Sequence, residues 1–208
     1  MPPSSFIAII PAAGLSRRMG QPKLLLPWRG TTVVAHLVGE LQAAGIQRIF
    51  VVLRASDAAL RTAVEASGAI PVQPPLDPPD MRASVEYGLQ VSRQAASSCV
   101  SDSGWFLIPA DHPLVACDTI HSLCAAWQPN SRQILIPTFN SQRGHPTLFS
   151  LDFAREVADI PTDQGLNWLV RRNAASIKEI PVNDPGTIAD LDTPEDYQAL
   201  LIRDDKSP

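Results

Sequence analysis

Short apolar runs alternate with amphipathic segments along the chain. Seven runs rich in Ile, Val, Leu and Phe have the length and side-chain content of buried strands. They occupy residues 6–10, 46–53, 69–73, 105–111, 133–139, 145–150 and 176–182. Apolar residues recur at helical spacing between these runs, and the predicted helices are 31–45, 56–68, 81–94, a segment carrying Ile120, Leu123 and Trp127, about 151–159, 165–172, and one that begins at Pro194. The alternation predicts an α/β fold, in which helices cover both faces of a mostly parallel sheet.

Local signals mark the ends of two of these helices. Thr31 is a candidate N-cap of the first helix, and Gly45 is placed to stop it. Ser56 and Gly68 bound the second helix in the same way.

Residues 133–150 depart from the alternation, because two strands meet there across a short turn. This predicts a small antiparallel insertion in the sheet. No repeat divides the chain, and the proline-rich segment 71–80 favours a stiff lid or connector over a domain boundary. We therefore expect one domain over residues 1–208.

The composition of the chain limits which classes of ligand and partner it is expected to bind. The 208 residues carry a formal net charge of −4, so no general basic field exists to bind nucleic acid. The three cysteines, Cys99, Cys117 and Cys124, form no C-x-x-C pair and match neither a disulfide framework nor a zinc site. The apolar run near the N-terminus is too short for a signal sequence or a membrane span. We expect a cytoplasmic protein without a membrane partner.

The loop after the first strand concentrates charge and backbone freedom. "PAAGLSRRMGQPK" combines a small-residue stretch with Arg17, Arg18 and Lys23, which suits a polyphosphate. The loop matches neither G-x-x-x-x-G-K-[ST] nor G-x-G-x-x-G. A solvated basic turn is the alternative.

Acidic residues follow two later segments. Asp111 ends the run "WFLIPAD", where it could hold Mg²⁺ or cap a turn. Asp190 and Asp192 lie two residues apart, so in extended backbone they point the same way. Asp192 or Thr193 could instead N-cap the last helix, and capping is compatible with a metal contact.

The loop also resembles a known family. "PAAGLSRRMGQPKLLLPW" is similar to the signature A-A-G-x-S-x-R-M-G-x-x-K-x-L-L of the MobA-like nucleotidyltransferases, especially the molybdenum cofactor cytidylyltransferases. The resemblance extends in order through "DMRASVEYGL", "IPADHPLV", "RGHPTLF", "TDQG" and "DLDTPEDY". It implies a Rossmann-like three-layer αβα nucleotidyltransferase domain.

The resemblance implies roles for the nucleotide and metal residues. The backbone of Ala12, Ala13 and Gly14 would contact the base and phosphates. Arg18 would hold the departing pyrophosphate and Lys23 the α-phosphate. Together with Asp111, these two residues form the predicted catalytic set. The predicted metal ligands for Mg²⁺ or Mn²⁺ are Asp111 and Asp192. Met81 and Ser84, at the start of a helix, would meet ribose or phosphate; ordinary helix packing is the alternative for them.

The same resemblance implies a pocket for a pterin acceptor that carries a dithiolene and a phosphate. Its predicted residues are Gly144, His145, Pro146, Asp163 and Gly165; a plain turn is the alternative for 144–146. The sequence departs here from the family pattern G-D-x-G-A-R.

Three residues differ from that pattern: Thr162 replaces the first glycine, and Leu166 and Asn167 replace Ala-Arg. Arg143, Arg171 or Arg172 could supply the missing cation. His112 is interpreted as incidental.

These features predict transfer of a nucleotide from an NTP, with CTP as the expected donor and molybdenum-loaded molybdopterin as the expected acceptor. In the resembling family, A-A-G accompanies cytidylyl transfer, whereas the guanylyl branch prefers A-G-G. A guanylyltransferase and a sugar-phosphate or polyol-phosphate nucleotidyltransferase stay open. So do a non-catalytic nucleotide sensor and a carrier of the pterin cofactor. A molybdenum hydroxylase or its chaperone is a candidate protein partner.

Overall fold

A computed structural model describes residues 5–95 and 103–204. Its strands and helices are, in chain order, β1 (Phe6–Pro11), β2 (Pro27–Trp28), β3 (Thr31–Thr32), α1 (Val33–Ala43), β4 (Arg48–Val52), α2 (Ala58–Ala66), β5 (Ile70–Val72), α3 (Met81–Gln94), β6 (Gly104–Leu107), α4 (Cys117–Ala126), β7 (Ile134–Phe139), β8 (Gln142–Arg143), β9 (Thr147–Ser150), α5 (Phe153–Glu156), α6 (Asn167–Arg172), β10 (Ile177–Pro181) and α7 (Pro194–Asp204). Every predicted strand and helix is present, with shifted ends. Cys99 lies outside the described residues.

One sheet runs through the molecule in the order β10-β7-β9-β6-β1-β4-β5, and β8 adds to β7. β1 pairs in parallel with β4 and β6, β4 with β5, and β7 with β10. β9 is antiparallel to both of its neighbours, β6 and β7. The predicted antiparallel insertion is therefore confirmed, and it lies inside the sheet.

The alternating side chains of the central strands build two apolar cores. In β1, Phe6, Ala8 and Ile10 join the core beneath α1, α2, α4 and α7. Ile7 and Ile9 join the opposite core, which packs against α3, α5 and α6. Because successive strand residues face opposite ways, both faces are buried. The three-layer αβα architecture is confirmed.

Helix α3 lies unusually close to the sheet at Gly88. A Cβ atom built on this residue would lie 2.9 Å from Val52 Cγ2 and 3.0 Å from Ile9 Cγ2. The absent side chain lets the helix backbone approach the strands directly. This approach sets the position of the helix that separates two cavities described below.

Two predicted helix starts were wrong. Thr31 does not cap α1; it pairs with Trp28 in the β2–β3 ribbon, and Thr32 accepts the N–H of Ala35 instead. Helix α2 begins at Ala58 with Asp57 as its N-cap residue, so Ser56 does not open it. Tertiary pairing and the phase of each helix decide such ends, and composition alone does not report them.

None of the helices in residues 5–95 and 103–204 combines the length and hydropathy that crossing a lipid bilayer requires.

Candidate active site

The parallel strands β1, β4, β5 and β6 end at one edge of the sheet, where their following loops enclose a cavity of about 370 Å³. Four loop segments line it, namely residues 11–16, Arg54, 77–80 and 109–111. Lys23, Leu24, Met81 and Ser84 complete the wall. Ligands bind at the carboxyl ends of the strands in open α/β sheets, so this edge is the candidate nucleotide site.

The loop after β1 is held by buried side chains and by a turn at Ser16, whose backbone is left-handed. Met19 and Leu24 are 4% and 6% exposed and anchor it to the core. Ser16 has φ 47°, and its carbonyl accepts the N–H groups of Met19 and Gly20, each at 3.1 Å. Ala12, also buried, donates its N–H to Val52 O at 2.9 Å. The loop therefore has a fixed conformation before any ligand arrives.

This conformation leaves backbone donors for a ligand. Among the described residues, the N–H groups of Ala13, Gly14 and Leu15 donate to no protein acceptor. All three residues line the cavity. Adjacent N–H groups of this kind form a site for anionic oxygens.

Lys23 connects three distant segments of the chain. Its Nζ donates to Asp111 Oδ2 at 3.0 Å, to Leu191 O at 2.8 Å and to Asp192 Oδ1 at 2.9 Å. Its side chain is only 14% exposed. Leu191 also donates its N–H to Asp111 O at 2.7 Å, which holds the segment before α7 against the loop after β6.

The two adjacent arginines of the loop differ in their contacts. Arg18 Nη2 lies 2.7 Å from Asp192 Oδ2, although the Arg18 side chain is 70% exposed. Arg17 is exposed, makes no ion pair among the described residues, and lines a second cavity between the loop and α2. Arg18 thus joins Lys23, Asp111 and Asp192 in one cluster of two cations and two carboxylates.

The segment before α7 shows whether Asp192 or Thr193 caps this helix. Thr193 Oγ1 accepts the N–H of Asp196 at 3.2 Å, and Asp196 Oδ2 accepts the N–H groups of Asp192 and Thr193. These hydrogen bonds lower the pKa of Asp196. Thr193 is therefore the cap, in a reciprocal capping box. The Asp192 carboxylate is left to Lys23 and Arg18, while Asp190 is exposed.

Two carboxylates that converge on one cation fit a divalent metal. Lys23 Nζ lies between Asp111 and Asp192, and this ammonium occupies the space where a metal cation would find hard oxygen ligands. The residues present therefore suit Mg²⁺ or Mn²⁺. A metal held there requires Lys23 to move off the carboxylates.

A separate cavity of about 570 Å³ lies on the other side of the start of α3. Of the predicted acceptor residues, His145, Asp163 and Gly165 line it. Gly144 and Pro146 are not part of its wall. Gly144 instead packs against the backbone of Thr187, where an added Cβ would lie 2.4 Å from the carbonyl oxygen. The structure therefore brings together three of the five predicted acceptor residues.

Two imidazoles connect this cavity with Asp111. The rings of His112 and His145 lie 4.8 Å apart, and His112 Nε2 is 4.0 Å from Asp111 Oδ1. Burial, together with the neighbouring His112, lowers the pKa of His145 to about 4. Burial also lowers the pKa of His112, against the raising effect of Asp111 and Asp190. His112 was interpreted as incidental, and the structure places it in contact with the acceptor side.

A second group of metal-ligand type lies at the start of α4. Ligand atoms of Cys117, Asp118 and His121 all lie within 4.8 Å of one another. Burial and the charge of Glu40 raise the pKa of the Cys117 thiol, which opposes the thiolate that a metal needs. We assign no metal to this group.

Comparison with known proteins identifies the fold family. A model of the MobA-like NTP transferase domain matches residues 8–177. The chain belongs to this family. It is a nucleotidyltransferase, related to the enzymes that attach a nucleotide to the molybdenum cofactor.

Individual relatives are similar to this chain along nearly its whole length. The molybdenum cofactor cytidylyltransferase of Escherichia coli (strain K12) is 28% identical over 196 residues, covering 93% of this chain and 94% of that protein. The purine catabolism protein PucB of Bacillus subtilis (strain 168) is 28% identical over 204 residues, covering 93% and 95%. The crystal structure of Rv0371c from Mycobacterium tuberculosis H37Rv superposes with a TM-score of 0.78 at 29% identity, covering 95% and 97%. A manganese complex of Rv0371c has a TM-score of 0.73 at 27% identity, covering 95% and 98%.

Sequence reasoning missed two cationic residues in this MobA-like domain. Arg54 lies two residues after the end of β4 and lines both cavities beside the loop, where it pairs with Asp57 at 2.7 Å. Arg54 follows the predicted strand 46–53, and this position could have identified it as a candidate site residue. Arg82, in the first turn of α3, lines the acceptor-side cavity. The sequence does not report how α3 is rotated against the sheet, so only the structure shows that Arg82 faces this cavity.

Proposed function

We propose that this nucleotidyltransferase transfers CMP from CTP to molybdenum-loaded molybdopterin and releases pyrophosphate. The product is the cytosine dinucleotide form of the cofactor. The observation that carries the proposal is the meeting of two cavities at Asp80, Met81 and Pro109, which belong to both walls. A nucleotide in one cavity and an acceptor phosphate in the other would face each other there.

Donor binding rests on the loop after β1. The unpartnered N–H groups of Ala13, Gly14 and Leu15 would receive the base and phosphate oxygens. Ser84 is 3% exposed and its hydroxyl donates to Asp80 O at 3.1 Å, so it shapes the wall. Met81, 48% exposed at the cavity rim, offers an apolar contact for the nucleoside. The choice of CTP follows the methyl group of Ala13, which leaves less room for a purine.

Asp111 and Asp192 would hold the divalent metal. When bound, Mg²⁺ or Mn²⁺ supplies charge neutralisation for the phosphates of the nucleotide. Lys23 and Arg18, displaced from the two carboxylates, would then turn to the triphosphate. Lys23 would contact the α-phosphate, and the exposed Arg18 would hold the departing pyrophosphate.

The transfer itself needs positioning and charge more than covalent help from the protein. An oxygen of the acceptor phosphate forms a bond to the α-phosphorus, and the bond from that phosphorus to the bridging oxygen of the β-phosphate breaks. The electron pair leaves with pyrophosphate. Lys23 and Arg18 would stabilise the charge that develops on these oxygens.

A pyrophosphate-release assay tests this proposal. Each of the four NTPs is supplied with and without molybdenum-loaded molybdopterin, and with a panel of sugar and polyol phosphates. We expect release only with CTP and the pterin. A preference for GTP would identify a guanylyltransferase, and release only with a sugar phosphate would assign another acceptor.

Two non-enzymatic alternatives predict different outcomes. A nucleotide sensor would bind Mg–CTP without turnover, and a cofactor carrier would bind the pterin with little affinity for any NTP. The similarity to the cytidylyltransferase of Escherichia coli favours turnover. A molybdenum hydroxylase, or its chaperone, is the proposed recipient of the product.

A further inference from the structure

The acceptor-side cavity lacks the arginine that the family pattern places in its wall. Asn167 stands where that pattern has arginine, and it lines the cavity without a charge. The neighbouring imidazole of His145 has a pKa of about 4, because burial lowers it. An anionic acceptor therefore requires another positive group.

The three arginines predicted as substitutes lie outside the cavity wall. Arg143 pairs with Glu179 at 2.7 Å on the surface of the sheet edge. Arg172 lies over the ring of Trp168, with its guanidinium carbon 5.0 Å from the centroid. Arg171 reaches only Gln164 at the rim, at 3.5 Å. Their positions are exposed.

Arg82 is the one cationic side chain in the wall of this cavity, among the residues that the structure describes. Its side chain is 14% exposed, and Nη1 lies 3.2 Å from Glu86 Oε2. Its Nε is buried and has no hydrogen-bond partner. A buried guanidinium donor without a partner is uncommon in folded proteins, and a planar guanidinium binds phosphate through two parallel hydrogen bonds.

The nearby carboxylates do not neutralise this site. Asp80 Oδ1 accepts the N–H of Ala83 at 2.7 Å as the N-cap of α3, and Asp163 is exposed to solvent. Glu86 is 42% exposed, so its pairing with Arg82 is partly screened by water. An incoming phosphate can therefore replace Glu86 as the partner of the Arg82 guanidinium.

We propose that Arg82 binds the phosphate of the acceptor and holds it at the boundary between the two cavities. The inference rests on the proposed function for the identity of the acceptor, but the assignment of an anion site does not. Residues 80 and 81, which precede Arg82 in the chain, line both cavities. A phosphate held by Arg82 would thus lie beside the nucleotide site, in reach of the α-phosphorus.

The test compares two pterins and one simple anion. Dissociation constants are measured by calorimetry on protein saturated with Mg–CTP, using metal-free molybdopterin, its dephosphorylated form and inorganic phosphate. For Arg82→Gln we expect affinity for molybdopterin and for phosphate to fall about 10- to 100-fold, as for the loss of a charged hydrogen bond. Affinity for the dephosphorylated pterin and for CTP should stay within about twofold.

Matched variants separate anion binding from structural damage. Arg82→Lys should recover part of the lost phosphate affinity. Glu86→Gln removes the ion pair and keeps the arginine, so phosphate affinity should be retained or increased. Arg172→Gln serves as a control at a surface arginine. In steady state, Arg82→Gln should raise the KM of the acceptor and leave the KM of CTP unchanged.

Each outcome decides the assignment. If Arg82→Gln binds molybdopterin and phosphate as tightly as the unmodified protein, Arg82 is not the anion site. A loss seen with Arg171→Gln in its place overturns the assignment as well, and so does the absence of measurable binding of both phosphate-bearing probes to the unmodified protein. If only the pterin fails to bind, while phosphate binding depends on Arg82, the anion site stands and the proposed acceptor fails.

Discussion

The ammonium nitrogen of Lys23 lies 2.9 Å from a carboxylate oxygen of Asp192, across 169 residues of sequence. With Asp111 and Arg18 they form a closed ion cluster in the ligand-free protein. Binding of a metal–nucleotide must exchange these partners, because the carboxylates suit the metal and the cations suit the phosphates. Under the proposed function, the free protein keeps Lys23 and Arg18 paired with these carboxylates until the substrate supplies the opposite charges.

Removing Lys23 or Arg18 should abolish most turnover and preserve the fold. For Lys23→Ala and for Arg18→Ala we expect kcat to fall about 10²- to 10³-fold, as for other preorganised donors to a developing anion. Circular dichroism and pyrophosphate release measure the two properties. Arg17→Ala is the matched control, because Arg17 is adjacent and exposed but lines a different cavity; it should retain activity within about threefold. Near wild-type turnover by Lys23→Ala would remove this residue from the mechanism.

Neutralising either carboxylate should weaken metal dependence specifically. Asp111→Asn and Asp192→Asn are each expected to raise the Mg²⁺ concentration for half-maximal activity about tenfold or more, because each loses a charged oxygen ligand. A Mg²⁺ titration of pyrophosphate release measures this. Asp190→Asn, at an exposed site two residues away, should leave the titration unchanged. Equal Mg²⁺ requirements in all three variants would contradict the metal assignment.

Ala13→Gly should shift the preference between bases. Ala13 lines the cavity proposed for the nucleotide, and deleting its methyl group would give a purine more room. We expect the ratio of kcat/KM for GTP over CTP to rise about tenfold, the scale of one methyl group in a binding pocket. Competition assays with both nucleotides measure the ratio. An unchanged ratio would show that other contacts select the base.

His145 should make stability depend on pH. Its folded-state pKa of about 4 lies below the value of about 6.5 for the unfolded chain, so the unfolded state binds a proton more readily between these values. The free energy of unfolding should therefore fall as the pH falls from about 6.5 towards 4, by about 1–2 kcal/mol at pH 5. Urea denaturation at pH 7 and pH 5 measures it.

The His145→Asn variant should lose the part of this pH dependence that comes from His145, while His112, whose pKa burial also lowers, keeps its own part. His121→Asn, at an exposed position on α4, is the control and should keep it. The same slope in wild type and His145→Asn would assign the effect to other groups.

Much of this fold follows from the pattern of apolar residues. The strands were predictable because central strands of a parallel sheet are apolar on both faces, as Ile7 and Ile10 of β1 show. The loop proposed to bind phosphate could be picked out because glycine, arginine and lysine concentrate after a strand. Lys23 and Asp111 are therefore predictable from the sequence as candidate site residues.

The pattern of apolar residues does not predict contacts between segments that are distant in the sequence. Nothing in the local sequence reports that Lys23 meets Asp192, since the loop before α7 reaches Lys23 only after the sheet has formed. The place of Arg82 depends on which face of α3 turns to the sheet, and Gly88 sets that approach. Thr32 rather than Thr31 caps α1 because the helix begins at Val33, directly after the β2–β3 ribbon that contains both threonines.

Transfer of label from CTP tests the central claim most directly. The protein is mixed with [α-³²P]CTP, Mg²⁺ and molybdenum-loaded molybdopterin, and the products are separated after a single turnover. We predict label in a cytosine dinucleotide of the pterin, unlabelled pyrophosphate in equal amount, and transfer by Lys23→Ala that is about 10²- to 10³-fold slower. Label that stays in CTP with this acceptor, or that moves only to a sugar phosphate, would contradict it.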